Sequence, residues 1–160
     1  MTHLKTELSS TDLTILSKLQ QDARLSSTDL ASGLNISATP TWRRIKRLEE
    51  LGIIKGYRAE LSPIHLGYGV EAFVTVKVGL HDQRGFQLFE AAIMSNDMIV
   101  SCHIVSGSED YLLRVITTDM ESYATFITQQ ASQLPGVKEI RSAIVLKALK
   151  PFKGLHLKTG

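Results

Sequence analysis

Cysteine is almost missing from this sequence. Cys102 stands alone, which excludes an internal disulfide and any metal site built on several cysteines. No apolar run approaches the roughly 18–20 residues of a membrane span, so no membrane partner is expected. The N-terminus, MTHLKTELSS, lacks the basic-then-apolar layout of a signal peptide, and the expected location is cytoplasmic. The histidines, His3, His65, His81, His103 and His156, show no helical i, i+4 pair. Cys102 and His103 would point to opposite faces of a strand, so neither a metal nor a cofactor is expected. Paired carboxylates, a nucleophile beside a base and a glycine-rich phosphate loop are equally missing. Catalysis therefore has no visible machinery, and the chain is expected not to be an enzyme.

What is present begins with a soluble composition, 43% apolar and 21% charged, over 160 residues. That length suits one ordinary domain or two small ones. Charge is distributed unevenly. Residues 1–60 hold nine Lys/Arg against seven Asp/Glu, and the remaining hundred hold nine of each. Six of the cations fall within 38–58, opposed there only by Glu49 and Glu50. Such a patch suits a polyanion, although a basic run is also an ordinary solvated helix face.

The first 52 residues read as three helices. Ser9 with Asp12, and Ser26 with Asp29, resemble capping boxes ahead of the apolar stripes Leu13, Ile15, Leu16, Leu19 and Leu30, Ala31, Leu34. A third helix starts at Ser37 or Thr39, with Pro40 tolerated in its first turn, and Gly52 stops it. At about 100° per residue, Trp42, Ile45 and Leu48 form one apolar arc, and the basic residues face away from it. The helix can then pack and present charge together. Residues 53–61, IIKGYRAEL, read as an extended wing, and SPIHLGYG (62–69) as a linker between domains 1–61 and 70–160.

The rest alternates two periods. Strands are expected over 70–80 (Val70, Ala72, Val74, Val76, Val78 and Leu80 on one face), 98–105, 111–117 and 137–149. Helices are expected over 85–94, with Phe86, Leu88, Phe89 and Ile93, and over 119–134, with Tyr123, Phe126, Ile127 and Ala131 inward. Strand–helix–strand–strand–helix–strand is the ferredoxin-like βαββαβ arrangement, giving an α+β chain with an N-terminal winged helix-turn-helix. The strands carry apolar residues on their second side too: Phe73, Ile99, Val105, Ile116 and Val145. A homodimer through the sheets would cover them.

A tight turn followed by a basic third helix makes a helix-turn-helix, whose recognition helix enters the major groove of double-stranded DNA. Thr39 and Arg43 are placed for bases, with Pro40 beside them. Arg44, Lys46 and Arg47 are placed for phosphates, and Lys55 with Arg58 on the wing for flanking backbone. The turn SGSEDY (106–111) reads most simply as a hairpin needing Gly107. It could also serve a free amino acid, whose carboxylate wants backbone N–H donors and whose ammonium wants a partner such as Asp110.

TPTWRRIKRLEELGIIKGYRAELSP, then SGSEDYLL, then LPGV, in one register from Asp12 to about Leu149, resembles the Lrp/AsnC (feast/famine) family of transcriptional regulators. The resemblance implies a winged helix-turn-helix and a ferredoxin-like module that dimerises and assembles further into tetramers or octamers. It also implies an amino-acid effector held around the Gly-x-x-Asp-Tyr turn at an interface between dimers. Gly107, Asp110 and Tyr111 match that turn; Ile104, Ser142 and Ile144 are further effector-lining candidates by similarity. Departures from the pattern are Leu8-Ser9 at the first helix start, Ala38 and Thr41 at the recognition-helix entry, and Trp42 where Leu is commoner. The helical wheel turns Ala38, Thr41 and Trp42 inward. Two other functions stay open: a sequence-tolerant chromosome organiser, and an amino-acid-sensing module that binds no DNA.

Overall fold

The computed structural model describes residues 7–79 and 82–157. Leu80, His3 and His81 lie outside the described residues. The chain divides into two compact units, residues 1–60 with 150–160, and residues 61–149.

In the first unit, α1 spans Ser10–Gln21, α2 Ser27–Ser32 and α3 Ala38–Glu50. Both expected capping boxes form. Ser9 Oγ accepts from Asp12 N–H while the Asp12 carboxylate accepts from Ser9 N–H, and Ser26 with Asp29 repeat the pair. Each box satisfies two donors that a helix start leaves without partners. Helix α3 starts after Ser37 and ends in a Schellman motif. Gly52 takes φ +66°, its N–H donates to Glu49 C=O, and Ile53 N–H donates to Leu48 C=O. Ile53 thereby joins the core of Ile15, Leu30 and Leu48, along with Leu16, Leu19, Leu34 and Ile45. Residues 53–61 follow without a paired strand, so the wing position is filled by irregular chain.

Two expectations about the ends of the second domain change. Residues 150–157, expected in the second domain, group with the first, where Leu155 N–H donates to Gln20 Oε1 at 2.7 Å and Gln20 Nε2 donates to Leu155 C=O at 3.0 Å. Residues 61–69, expected as wing end and linker, group with the second unit and include a tight helical turn at Ile64–Leu66.

The second unit holds β1 (Val70–Val78), α4 (Gln83–Met94), β2 (Ile99–Ile104), β3 (Tyr111–Thr117), α5 (Met120–Thr125) and β4 (Val137–Ile144). The sheet is antiparallel throughout, in the order β2-β3-β1-β4. Ala72, Val74, Val76, Tyr111, Leu113 and Val115 lie on one face and pack with Phe89, Ile93, Tyr123 and Phe126 from the helical segments. Phe86 and Leu88 stay largely exposed, so only part of the expected α4 stripe is core. Beyond α5 the chain widens into a π-helical turn at Phe126–Gln130 and tightens again to Gln133, rather than running as one helix to 134. Thr128 Oγ1 donates back to Ala124 C=O there, a bond that competes with regular helix geometry.

The open sheet face is less apolar than expected. The ladder shifts register between Ile99 and Ser101, so Ile99 pairs with Val115 and packs against the helix-covered core. On the open face, Phe73 sits opposite Arg114, whose Nε donates to Glu71 Oε1 at 2.8 Å. Strand β4 ends at Ile144, not 149, with one further ladder bond from Val145 N–H to Glu71 C=O.

Candidate DNA-binding and effector sites

The packed side of α3 is the line Thr41, Ile45, Leu48, spaced four and three residues apart, with Ala38 leading it. Thr41 is fully buried, and its hydroxyl donates to Ser37 C=O at 3.0 Å. Trp42, expected inward, is instead 52% exposed and stands apart from the unit's apolar cluster. The small Thr41 fits between the helices, and the bulky indole one position on is turned outward. Thr39, Pro40, Arg43, Lys46 and Arg47 share that outer side, and all are exposed.

The cations on α3 differ in how free they are. Arg44 is turned towards its own protein: its Nη1 lies 2.9 Å from Asp12 Oδ1 and 3.2 Å from Ser9 Oγ. Asp12 is only 1% exposed, and an ionised carboxylate there requires a counter-charge. Arg44 supplies it through Nη1 while its side chain stays 38% exposed. Arg47 Nη1 approaches the other Asp12 oxygen at 3.7 Å but remains half exposed. Burial pushes the Asp12 pKa up, yet hydrogen bonds from the Ser9 hydroxyl and the Arg44 guanidinium outweigh it and hold the group below its ordinary value.

Lys46 Nζ pairs with Glu49 Oε2 at 2.7 Å, and Tyr57 OH donates to Glu49 Oε1 at 3.0 Å. These bonds hold Glu49 below the usual carboxylate range. Burial and then the Glu49 hydrogen bond push the Tyr57 phenol up to about 12, so it stays a donor. Tyr57 thereby ties the wing segment to α3. Among the described residues, Arg43, Lys55 and Arg58 form no ion pair. Three guanidinium and ammonium groups are thus fully available to an anion.

In the second unit, Gly107 takes φ +132° in the β2–β3 turn, with open space where a Cβ would stand. Glycine is needed there for backbone angle, not for close approach. Asp110 is bound into the fold: its N–H donates to Val76 C=O, its C=O accepts from Val105 N–H, and its Oδ2 accepts from Val78 N–H at 2.8 Å. Tyr111 is 3% exposed and packs against Phe89, the two rings tilted at 46° with centroids 4.6 Å apart. Burial first, and Glu90 second, push its phenol up.

Ile104 is 73% exposed and pairs with Tyr111, so Ile104, Gly107, Asp110 and Tyr111 cluster at one end of the β2–β3 hairpin. Ser142 and Ile144 do not join them. They lie on β4, which the order β2-β3-β1-β4 sets about 14 Å from Ile104 on β2 and about 10 Å from Tyr111 on β3 at ladder spacing. Sequence reasoning missed Glu109 and Arg141. Arg141 Nη1 lies 3.3 Å from Glu109 Oε1, while Glu109 Oε2 is buried without a hydrogen-bond partner. The acidic pair Glu109-Asp110 inside the turn was the available signal.

Residues 8–55 match the winged helix-turn-helix DNA-binding family, and residues 71–155 match the Lrp/AsnC ligand binding domain. The leucine-responsive regulatory proteins of Salmonella typhimurium and Escherichia coli K12 are each 35% identical over 153 residues, covering 96% of this chain and 93% of theirs. A transcriptional regulator of Neisseria meningitidis, solved as an L-Met complex, superposes with a TM-score of 0.91 at 33% identity, covering 95% of this chain and 98% of its own. An AsnC family regulator from Agrobacterium tumefaciens gives 0.87 at 31%, covering 94% and 97%. With its exposed basic recognition helix and its βαββαβ module, the chain belongs to the Lrp/AsnC family of transcriptional regulators, DNA-binding proteins whose activity a small effector modulates.

Proposed function

We propose that α3 reads DNA in the major groove, with Thr39 and Arg43 on base edges, Pro40 beside them, and Lys46, Arg47 and Lys55 on phosphates. The observation that carries this reading is the exposed cationic side of α3, on which Arg43 is free of any ion pair among the described residues. Arg44 contributes to the field of that face while its Nη1 is held by Asp12. Two copies would set two recognition helices on successive major-groove faces, so the operator is a rough palindrome with half-sites near one turn apart. Arg43→Ala should cost about 1–3 kcal/mol of discrimination at one base position. Binding titrations on operator and scrambled duplexes at several salt concentrations check this. A uniform loss across sequences, with a shallower salt slope, would make Arg43 a phosphate contact instead.

The effector is an amino acid bound at the β2–β3 turn. Support comes from the Gly107–Tyr111 geometry and from the L-Met complex of the Neisseria relative. Ser142 and Ile144 sit apart from the turn within one chain, and a contribution from β4 of another copy would fit a site between assembled chains. Ligand binding would then shift the balance among dimers, tetramers or octamers and so change how the recognition helices line up. The protein is cytoplasmic in this reading and has no catalytic role. Thermal melting with each of the twenty amino acids tests it: one or a few should raise the transition temperature by linkage. A flat panel would remove the amino-acid effector but leave DNA binding standing.

A further inference from the structure

From the position of Trp42 we infer that this residue determines specificity, meeting the 5-methyl group of a thymine in each operator half-site. The inference rests on α3 entering the major groove. An indole half open to water on a helix whose packed line is already filled by Thr41, Ile45 and Leu48 is not serving the core. One turn away on the helix surface stand Ala38 and Thr39 before it and Ile45 and Lys46 after it, so Trp42 lies at the border between the packed line and the cationic side of α3. An exposed indole that borders the cationic side of α3 is poorly matched to an apolar protein surface, where the charges beside it would lose water without gaining a partner. It is well matched to a polyanion. Within the major groove, the thymine methyl is the one apolar feature of the base edges, and T·A and A·T pairs differ by where it stands. The indole N–H is a donor only, so it turns towards a phosphate or base acceptor while the carbon edge meets the methyl.

The chain has a single tryptophan, so emission excited at the red edge, where its four tyrosines do not absorb, reports Trp42 alone. The full-length protein is first used to enrich its preferred duplex from a random-sequence pool. Trp42 emission should shift on adding that duplex and change little with a scrambled one. Replacing thymines one at a time by deoxyuridine, which lacks only the methyl, should expose one position per half-site where binding weakens about three- to fivefold, the worth of one buried methyl. In Trp42→Ala that thymine-over-uridine preference should vanish, while the melting temperature stays near that of the natural chain, as expected at a surface site.

Several outcomes overturn the inference: emission unmoved by the enriched duplex, no sensitive thymine, or a sensitivity that persists in Trp42→Ala. If Arg43→Ala loses base preference while Trp42 is silent in every assay, α3 still reads DNA and only the role of Trp42 falls. If Trp42→Ala changes the assembly size in gel filtration but not the DNA preference, the indole faces protein. If no duplex is enriched, the sequence-specific reading fails first and takes this inference with it.

Discussion

Asp12→Ala is expected to lower the melting temperature of the N-terminal unit by roughly 10–20 °C, the equivalent of about 2–3 kcal/mol in a unit of some 60 residues. The carboxylate does two things at once. It closes the capping box by accepting from Ser9 N–H and Oγ, at 3.1 and 2.8 Å, and it anchors α3 to α1 by accepting from Arg44 Nη1 at 2.9 Å. Losing one partner of a buried pair costs about 3–5 kcal/mol, but Arg44 is 38% exposed and can rehydrate, so the lower figure applies. Asp12→Asn keeps an acceptor for Ser9 and loses the charge, so about half the effect is expected, again on the scale of a charge-assisted bond.

The pH dependence separates the two roles. Because the folded-state pKa of Asp12 lies below its ordinary value of 3.8, its stabilisation is present above that value and is lost as pH falls through the folded one. The natural chain should therefore lose stability on acidification below about pH 4 more steeply than Asp12→Asn. Calorimetry of both across that range checks it. Equal acid slopes would mean that the ion pair with Arg44 adds nothing to the cap. Since this carboxylate ties α3 to α1 beside their shared apolar core, Asp12→Asn should also weaken operator binding at neutral pH without touching DNA itself.

Asp12 also illustrates what could be read from the chain. Its cap role was legible because Ser9 and Asp12 are three residues apart and the bond is local; its pairing with Arg44, 32 residues on, is a product of tertiary packing. On α3 the wheel turned Ala38, Thr41 and Trp42 inward, and only Trp42 departs from it. Its hydrophobicity put it inside. The spacing Ala38, Thr41, Ile45, Leu48 fits a buried line better, and packing room, not hydrophobicity, chose Thr41. In the sheet, β1 and β3 alternate cleanly and were legible. The register shift after Ile99 turns one apolar residue to the other face, which no period-two pattern can announce. Residues 150–157 group with the first unit, where the Gln20 side chain makes two bonds to Leu155, and Gln20 carries no signal for them. The effector candidates split similarly. Those adjacent in sequence, Gly107 to Tyr111, meet; Ser142 and Ile144, added by resemblance, are separated from them by strand order.

Asp110→Asn should abolish the amino-acid response while leaving the fold and ligand-free DNA binding intact. Alanine is the wrong probe here. Asp110 Oδ2 accepts from Val78 N–H at 2.8 Å, and truncation would strand that donor at a cost of about 1–3 kcal/mol, loosening the turn whether or not the residue ever meets a ligand. Asparagine retains an oxygen for Val78 and removes only the charge. If the charge receives the effector's ammonium, its loss removes a bond worth about 1.5–3 kcal/mol, a drop of roughly 10- to 100-fold in affinity. Thermal shifts titrated with the responsive amino acid would read this directly, with the ligand-free melting temperature as the control on folding. An Asp110→Asn chain stabilised as strongly as the natural one would free Asp110 for a purely structural role. Attention would then pass to Glu109, whose buried Oε2 has no hydrogen-bond partner, and Glu109→Gln would be expected to lose the response that Asp110→Asn had kept. The two variants divide the turn cleanly, because one carboxylate is already engaged by backbone and the other is held by Arg141 through only one of its oxygens.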